Sequence, residues 1–219
     1  LLPQAGSAQT YKGVAFAGVS TGRGTSGYAG ATVALPGGSL GKGLAVRGAT
    51  SLGDFTFERN GTDFDGEYFS AEVALVSQHS GPWGWANFSA GPRINDLKID
   101  PPDPENDRVG TRLDLGVQTD GGYNINPAWR ATWRASAGVF NGTYQVRGTI
   151  GRLVDQRSPV RLGLDAGFQG SPEYSSFSGG GFIASKLGGG IDGQLSAGIA
   201  TQGDRGSAPY LGFGLSTLF

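Results

Sequence analysis

The chain of 219 residues carries 17 Lys and Arg against 18 Asp and Glu, no Cys, one His and 41 Gly. Near-zero net charge gives no electrostatic reason to expect nucleic acid, and the absence of Cys excludes disulfides and thiolate metal sites. No apolar run approaches the ~18 residues of a membrane helix; a mean hydropathy of -0.20 would suit a soluble protein but does not exclude a β-barrel, in which only alternate residues face lipid.

In chain order, Leu1-Leu2-Pro3-Gln4-Ala5-Gly6-Ser7-Ala8 reads either as the last piece of a secretory signal, with small Gly6 and Ala8 before a cleavage point, or as a disordered N-terminus. Residues 9–219 are expected to form one domain. Period-two patterning predicts strands near 10–19, 27–35, 43–51, 66–76, 84–94, 111–118, 129–139, 143–151, 160–169, 176–186, 190–200 and 208–219. The pattern is clearest at 129–139, where Trp129, Ala131, Trp133, Ala135, Ala137 and Val139 alternate with Arg130, Thr132, Arg134, Ser136 and Gly138. It recurs at 160–169, where Leu162, Leu164 and Phe168 oppose Arg161, Asp165 and Gln169. Most of these segments are near the ~9–11 residues a tilted strand needs to cross a bilayer.

These strands predict an all-β, closed antiparallel transmembrane β-barrel of about twelve strands, or ten if weak glycine-rich segments such as 176–186 are loops. An unpaired backbone N–H or C=O in hydrocarbon costs several kcal/mol, so the sheet must close. An even strand number puts both termini on one side, read as periplasmic. The glycine excess fits strongly bent strands around a narrow lumen.

The face opposite the apolar residues carries Arg47, Glu72, Arg112, Asp114, Arg130, Arg134, Arg147, Arg161, Asp165 and Asp192. These are the candidate lumen residues, expected to pair across the interior or to stay hydrated because a lone buried charge is costly. Unpaired, the same Arg row is a basic track for anionic sugars or other small anions. Two aromatic belts are expected at the membrane–water interfaces. One holds Tyr11, Trp83, Trp85, Tyr123 and Trp129; the other holds Phe55, Phe57, Phe64, Tyr144, Tyr174 and Phe177. Phe219 ends an alternating strand of Leu211, Phe213 and Leu215, as outer-membrane barrels commonly do.

Long acidic loops are expected at 52–65 and 95–108. Tight turns are expected at Pro36-Gly37-Gly38, Ser80-Gly81-Pro82, Asp120-Gly121-Gly122 and Gly188-Gly189-Gly190. No catalytic set is legible: the single His79 falls by a predicted turn without a Ser/His/Asp arrangement. Asp100, Asp103, Glu105 and Asp107, broken by prolines, follow no calcium-loop spacing. Gly13-x-x-x-x-Gly18 lacks the Lys and helix of a phosphate loop. No enzyme activity, cofactor or metal is therefore expected.

Several short stretches resemble one family. They are Ser26-Gly27-Tyr28-Ala29-Gly30-Ala31, the Pro- and Asp-rich 101–108 followed by Val109-Gly110-Thr111-Arg112, Tyr123-Asn124-Ile125-Asn126-Pro127, and Leu211-Gly212-Phe213-Gly214-Leu215. Together they resemble the cellulose-biosynthesis BcsS family over most of the chain from about residue 10. The resemblance implies a bacterial outer-membrane location and a part in cellulose or related exopolysaccharide production, and it carries over no catalytic residues. The partners expected are outer-membrane lipid and lipopolysaccharide, the barrel assembly machinery through the C-terminal strand, and exopolysaccharide secretion components. An accessory or structural role is the main reading and a narrow channel for anionic oligosaccharides the alternative. A soluble sandwich binding carbohydrate through Trp83 and Trp85 is the third.

Overall fold

Alternation of apolar and polar residues produces strands whose backbone groups all pair only if the sheet has no edge. A computed structural model describes residues 11–103, 106, 108–155, 158–172, 175–202 and 206–219. The expectation for residues 1–8 lies outside them. The described residues form twelve strands: β1 Gly13–Thr21, β2 Thr25–Ala34, β3 Gly43–Arg59, β4 Thr62–Gly81, β5 Gly84–Asp100, β6 Gly110–Asn124, β7 Trp129–Gly138, β8 Thr143–Leu153, β9 Arg161–Gly170, β10 Ser175–Gly188, β11 Ile191–Gln202 and β12 Ser207–Leu218. Each pairs antiparallel with its sequence neighbour, and β1 pairs with β12 from Val14↔Leu218 to Thr21↔Leu211. The barrel is closed. The ten-strand alternative fails because 176–186, read as a possible loop, lies within β10 and pairs with both β9 and β11.

The start of β1 and the end of β12 lie on one rim, here the terminal rim, together with the connections β2–β3, β4–β5, β6–β7, β8–β9 and β10–β11. At the seam, the Phe219 carbonyl accepts from the N–H of Lys12 at 2.8 Å and of Gly13 at 2.9 Å. The remaining connections form the far rim.

The outer face is apolar where it would meet lipid. Leu113 is 70% exposed and Leu164 68%, whereas their chain neighbours Asp114 and Asp165 are 2% and 3% exposed. In a water-soluble sandwich the apolar set would be buried and the charges solvated. Here the order is reversed, which identifies a transmembrane barrel.

Strand length is uneven. β3, β4, β5 and β6 have 17, 20, 17 and 15 residues, against 9 to 14 for the others. The expected loop 52–65 is instead a hairpin extension, with pairing continuous from Gly53↔Tyr68 to Arg59↔Thr62. Its tip is Asn60-Gly61 with φ of 53° and 76°, the two positive values that a tight hairpin turn requires and that Asn-Gly supplies at least cost. The expected loop 95–108 is likewise strand as far as Asp100. The expected turn Asp120-Gly121-Gly122 lies inside β6, and the chain reverses at 125–128. His79 lies in β4 rather than in a turn, its Nε2 2.9 Å from Ser77 Oγ.

Candidate functional site

Because side chains alternate without a register break along β3 and β4, the residue parity that puts Arg47 and Glu72 inside holds to the tip. Phe55, Phe57 and Phe64 therefore face the barrel axis, not lipid. Phe57 and Phe64 stack with centroids 5.0 Å apart, and with Ile99 they make a buried cluster against which Phe55 and Leu97 pack. Of the expected second aromatic belt, these three Phe are thus elsewhere. Tyr144 and Phe168 meet on the outer wall at 5.3 Å, Phe177 is exposed, and Tyr174 lies outside the described residues. The outward side of the same extension carries Asp54, Glu58, Asp63, Asp65, Glu67, Asp96 and Asp100 around Lys98. At the terminal rim Trp83, Tyr123, Trp129 and Phe219 are exposed and Tyr11 is half-buried. Trp85 departs from that set: it shares the inward parity of Asn87 and Ser89, and its indole covers Gly122 across the β5–β6 pair.

The far mouth is tied across. Arg59 pairs with Asp103 at 2.7 Å, joining the β3–β4 tip to the β5–β6 loop. Arg108 donates to the Asn141 carbonyl at 3.3 Å and to Ser171 Oγ at 3.4 Å, reaching the next two connections. From the opposite wall Gln202 Nε2 donates to the Thr56 carbonyl at 2.6 Å. Glu105 and Asp107, two of the four loop acids considered as cation ligands, lie outside the described residues.

Inside, charges are grouped on chords of the barrel. Arg47 on β3 reaches Asp120 on β6 at 2.7 Å and also donates to Thr32 and Ser89; Asn87 and Gln118 donate to the same carboxylate. Glu72 pairs with Arg93, and this pair packs against Gly116, where a side chain would collide with both. Arg147 pairs with Asp165 at 2.6 Å, and Tyr210 on β12 donates to the other oxygen of Asp165. Asp114 acts locally instead, accepting from the N–H of Leu115 and of Phe140, both at 2.8 Å, and so holding the start of the β7–β8 turn.

Near the terminal rim, Arg130 donates to Asn124 Oδ1, and Arg161 to the carbonyls of Ala128 and Gly151, all at 2.8 Å. Arg112 and Asp192 line a lumen cavity of about 590 Å³. Arg134 lines it too, and its guanidinium lies 5.3 Å from the ring centroid of Tyr28, which is on the far wall.

Asp120, Arg93, Tyr28 and Tyr210 were not among the lumen residues expected from the sequence. For Asp120 and Arg93 a signal existed, since each continues the parity of its inward neighbours: Gln118 before Asp120, Asn95 after Arg93. The two Tyr also lie on the inward parity of their strands, Tyr28 with Thr32 and Tyr210 on the face opposite Leu211, but an aromatic side chain does not by itself declare a lumen role.

A model of the family described as cellulose biosynthesis protein BcsS matches residues 14–219. The chain belongs to the BcsS family. No curated protein matches it. Among solved structures, this BcsS-family barrel is similar to the β domain of the Bordetella autotransporter BrkA, at 13% identity and a TM-score of 0.52, over 96% of this chain and 100% of that one. Two weaker likenesses cover most of both chains. The KdgM porin shares 8% identity with a TM-score of 0.49, over 94% of this chain and 99% of that one. The translocator domain of the autotransporter NalP from Neisseria meningitidis shares 13% with a TM-score of 0.48, over 98% and 90%. At such identities the likeness is one of fold.

Proposed function

We propose that this BcsS-family chain is a non-enzymatic barrel of the bacterial outer membrane that serves as an accessory or structural component of cellulose or related exopolysaccharide production. The family supports the process, and the apolar outer belt supports the location. One observation carries the sealed, scaffold-like character. The lumen is bridged by Arg47–Asp120 between β3 and β6, by Asp165–Tyr210 between β9 and β12, and by Arg134 over Tyr28 between β7 and β2. Side chains held on three chords narrow the lumen, which supports a scaffold over an open pore.

In this reading the terminal rim is periplasmic and the acid-faced extension stands outside the cell, since outer-membrane barrels keep short turns inside and their long elements outside. Its contacts are outer-membrane lipid and lipopolysaccharide, the assembly machinery at the β12 end, and secretion components of the exopolysaccharide system. A narrow anion channel is the competing reading, favoured by Arg112 and Arg134, neither of which has an ion-pair partner among the described residues. Planar-bilayer recording of the purified chain tests the choice. Silence is expected; anion-selective openings reduced by Arg134→Ala would overturn the sealed scaffold.

A further inference from the structure

Among the described residues Arg134 makes no ion pair of its own. Along the ladder its direct neighbours are Asp120 on β6 and Arg147 on β8, but both are committed. Asp120 is held by Arg47, Asn87 and Gln118, and Arg147 is held by Asp165. The Nε of Arg134 is buried without a hydrogen-bond partner, and the group rests on the ring of Tyr28. Stacking on an aromatic face returns only part of the hydration a guanidinium gives up. The arrangement is thus incomplete in a particular way: a planar fork of donors, fixed at mid-lumen, lacks an acceptor.

The cavity beside it, about 590 Å³, is of the size that encloses a small organic ligand. Apart from charged pairs, its wall near Arg134 presents neutral hydroxyls and amides, among them Gln118, Ser136, Thr149 and Ser196, with the ring of Phe16 opposite. With Glu72–Arg93 and Arg147–Asp165 paired, the charge left beside Arg134 is its own positive one, while Arg112 and Asp192 lie toward the two ends of the lining. Arg112, also without an ion pair among the described residues, starts eight residues along β6 from Asp120, the ladder partner of Arg134, about 26 Å at ~3.3 Å per residue. A dianionic phosphate would ask for two free cations together, whereas a carboxylate asks for one fork.

We propose that Arg134, steadied by Tyr28, anchors the carboxylate of an acidic sugar inside the lumen, a uronic-acid monosaccharide or disaccharide whose hydroxyls meet the surrounding Ser, Thr and Gln side chains. The inference rests on the barrel and its cavity. It deepens the accessory reading by naming a ligand class for its interior.

Calorimetric titration of the full chain in detergent micelles tests it, with digalacturonate as probe, cellobiose as the uncharged sugar of like size, and sodium acetate and sulfate as plain anions. Digalacturonate is expected to bind at least tenfold more tightly than cellobiose. Arg134→Gln is expected to weaken it at least tenfold and Tyr28→Leu severalfold, with Arg152→Gln, on the outer wall, without effect. Heat-modifiable gel mobility reports that each variant is folded. Tyr28→Leu reads the same site if Arg134→Gln does not assemble. Equal binding by wild type and Arg134→Gln, no heat at millimolar digalacturonate, or displacement by acetate or sulfate at equal concentration overturns the site. A silent barrel without digalacturonate binding rejects the site alone; a conducting barrel that binds it rejects the sealed scaffold alone.

Discussion

Along β3, β4 and β5 one unbroken alternation serves two opposite chemistries. In the lower part the inward residues are Arg47, Glu72 and Asn87 and the outward ones Val46, Val73 and Phe88; in the upper part Phe57, Phe64 and Ile99 turn inward while Glu58, Asp65 and Asp100 turn outward. The change falls between Leu52 and Asp54, between Phe69 and Glu67, and between Ile94 and Asp96. A strand therefore does not determine which of its faces is oily. The surrounding medium does: hydrocarbon outside demands apolar side chains there, and above the lipid the same wall is an ordinary sheet with water on its outer side.

The comparison can be broken most sharply in the lower lumen. Arg47→Gln would leave the part-buried Asp120 without its ion-pair partner, a loss of up to about 3–5 kcal/mol, read as a lower denaturant midpoint for unfolding from lipid vesicles. Retention of wild-type stability would mean that water already screens this chord. Next comes Leu164→Arg, mid-strand on the outer face, with an expected cost of about 2–4 kcal/mol at the bilayer midplane in the same assay. The smallest effect belongs to Glu67→Arg on the extension, expected within about 0.5 kcal/mol of wild type. Should Glu67→Arg cost as much as Leu164→Arg, the extension would be embedded in lipid and the boundary between Phe69 and Glu67 would be misplaced.

Much of the barrel was legible in the sequence because phase is a local property. Leu164 against Asp165, or Ile191 against Asp192, declares a wall with two solvents, and twelve such segments declare a ring. What escaped depends on partners across strands. Gly121-Gly122 has turn composition, yet a side chain at Gly121 would run into the Trp133 ring and one at Gly122 into Trp85. Glycine beneath a neighbouring aromatic cannot be told from glycine in a bend until the strands are paired. Removing Asp120 from β6 on that ground hid the carboxylate on which Arg47 depends. The extension was missed for another reason: with acids outside and phenylalanines inside, residues 52–65 invert the polarity expected of a membrane strand, and Asn60-Gly61 was the local mark of a hairpin. Arg134 was legible as an inward charge, but its lack of a partner is visible only after the other carboxylates have been assigned.

The seven carboxylates of the extension occupy a single arc of the circumference, and above the lipid no comparable wall rises from β7 to β12 among the described residues. Such lopsidedness gives the molecule an electrical front and back in the plane of the membrane. Two copies approaching front to front would repel one another, so neighbours in a crowded leaflet are steered toward the side that lacks the extension.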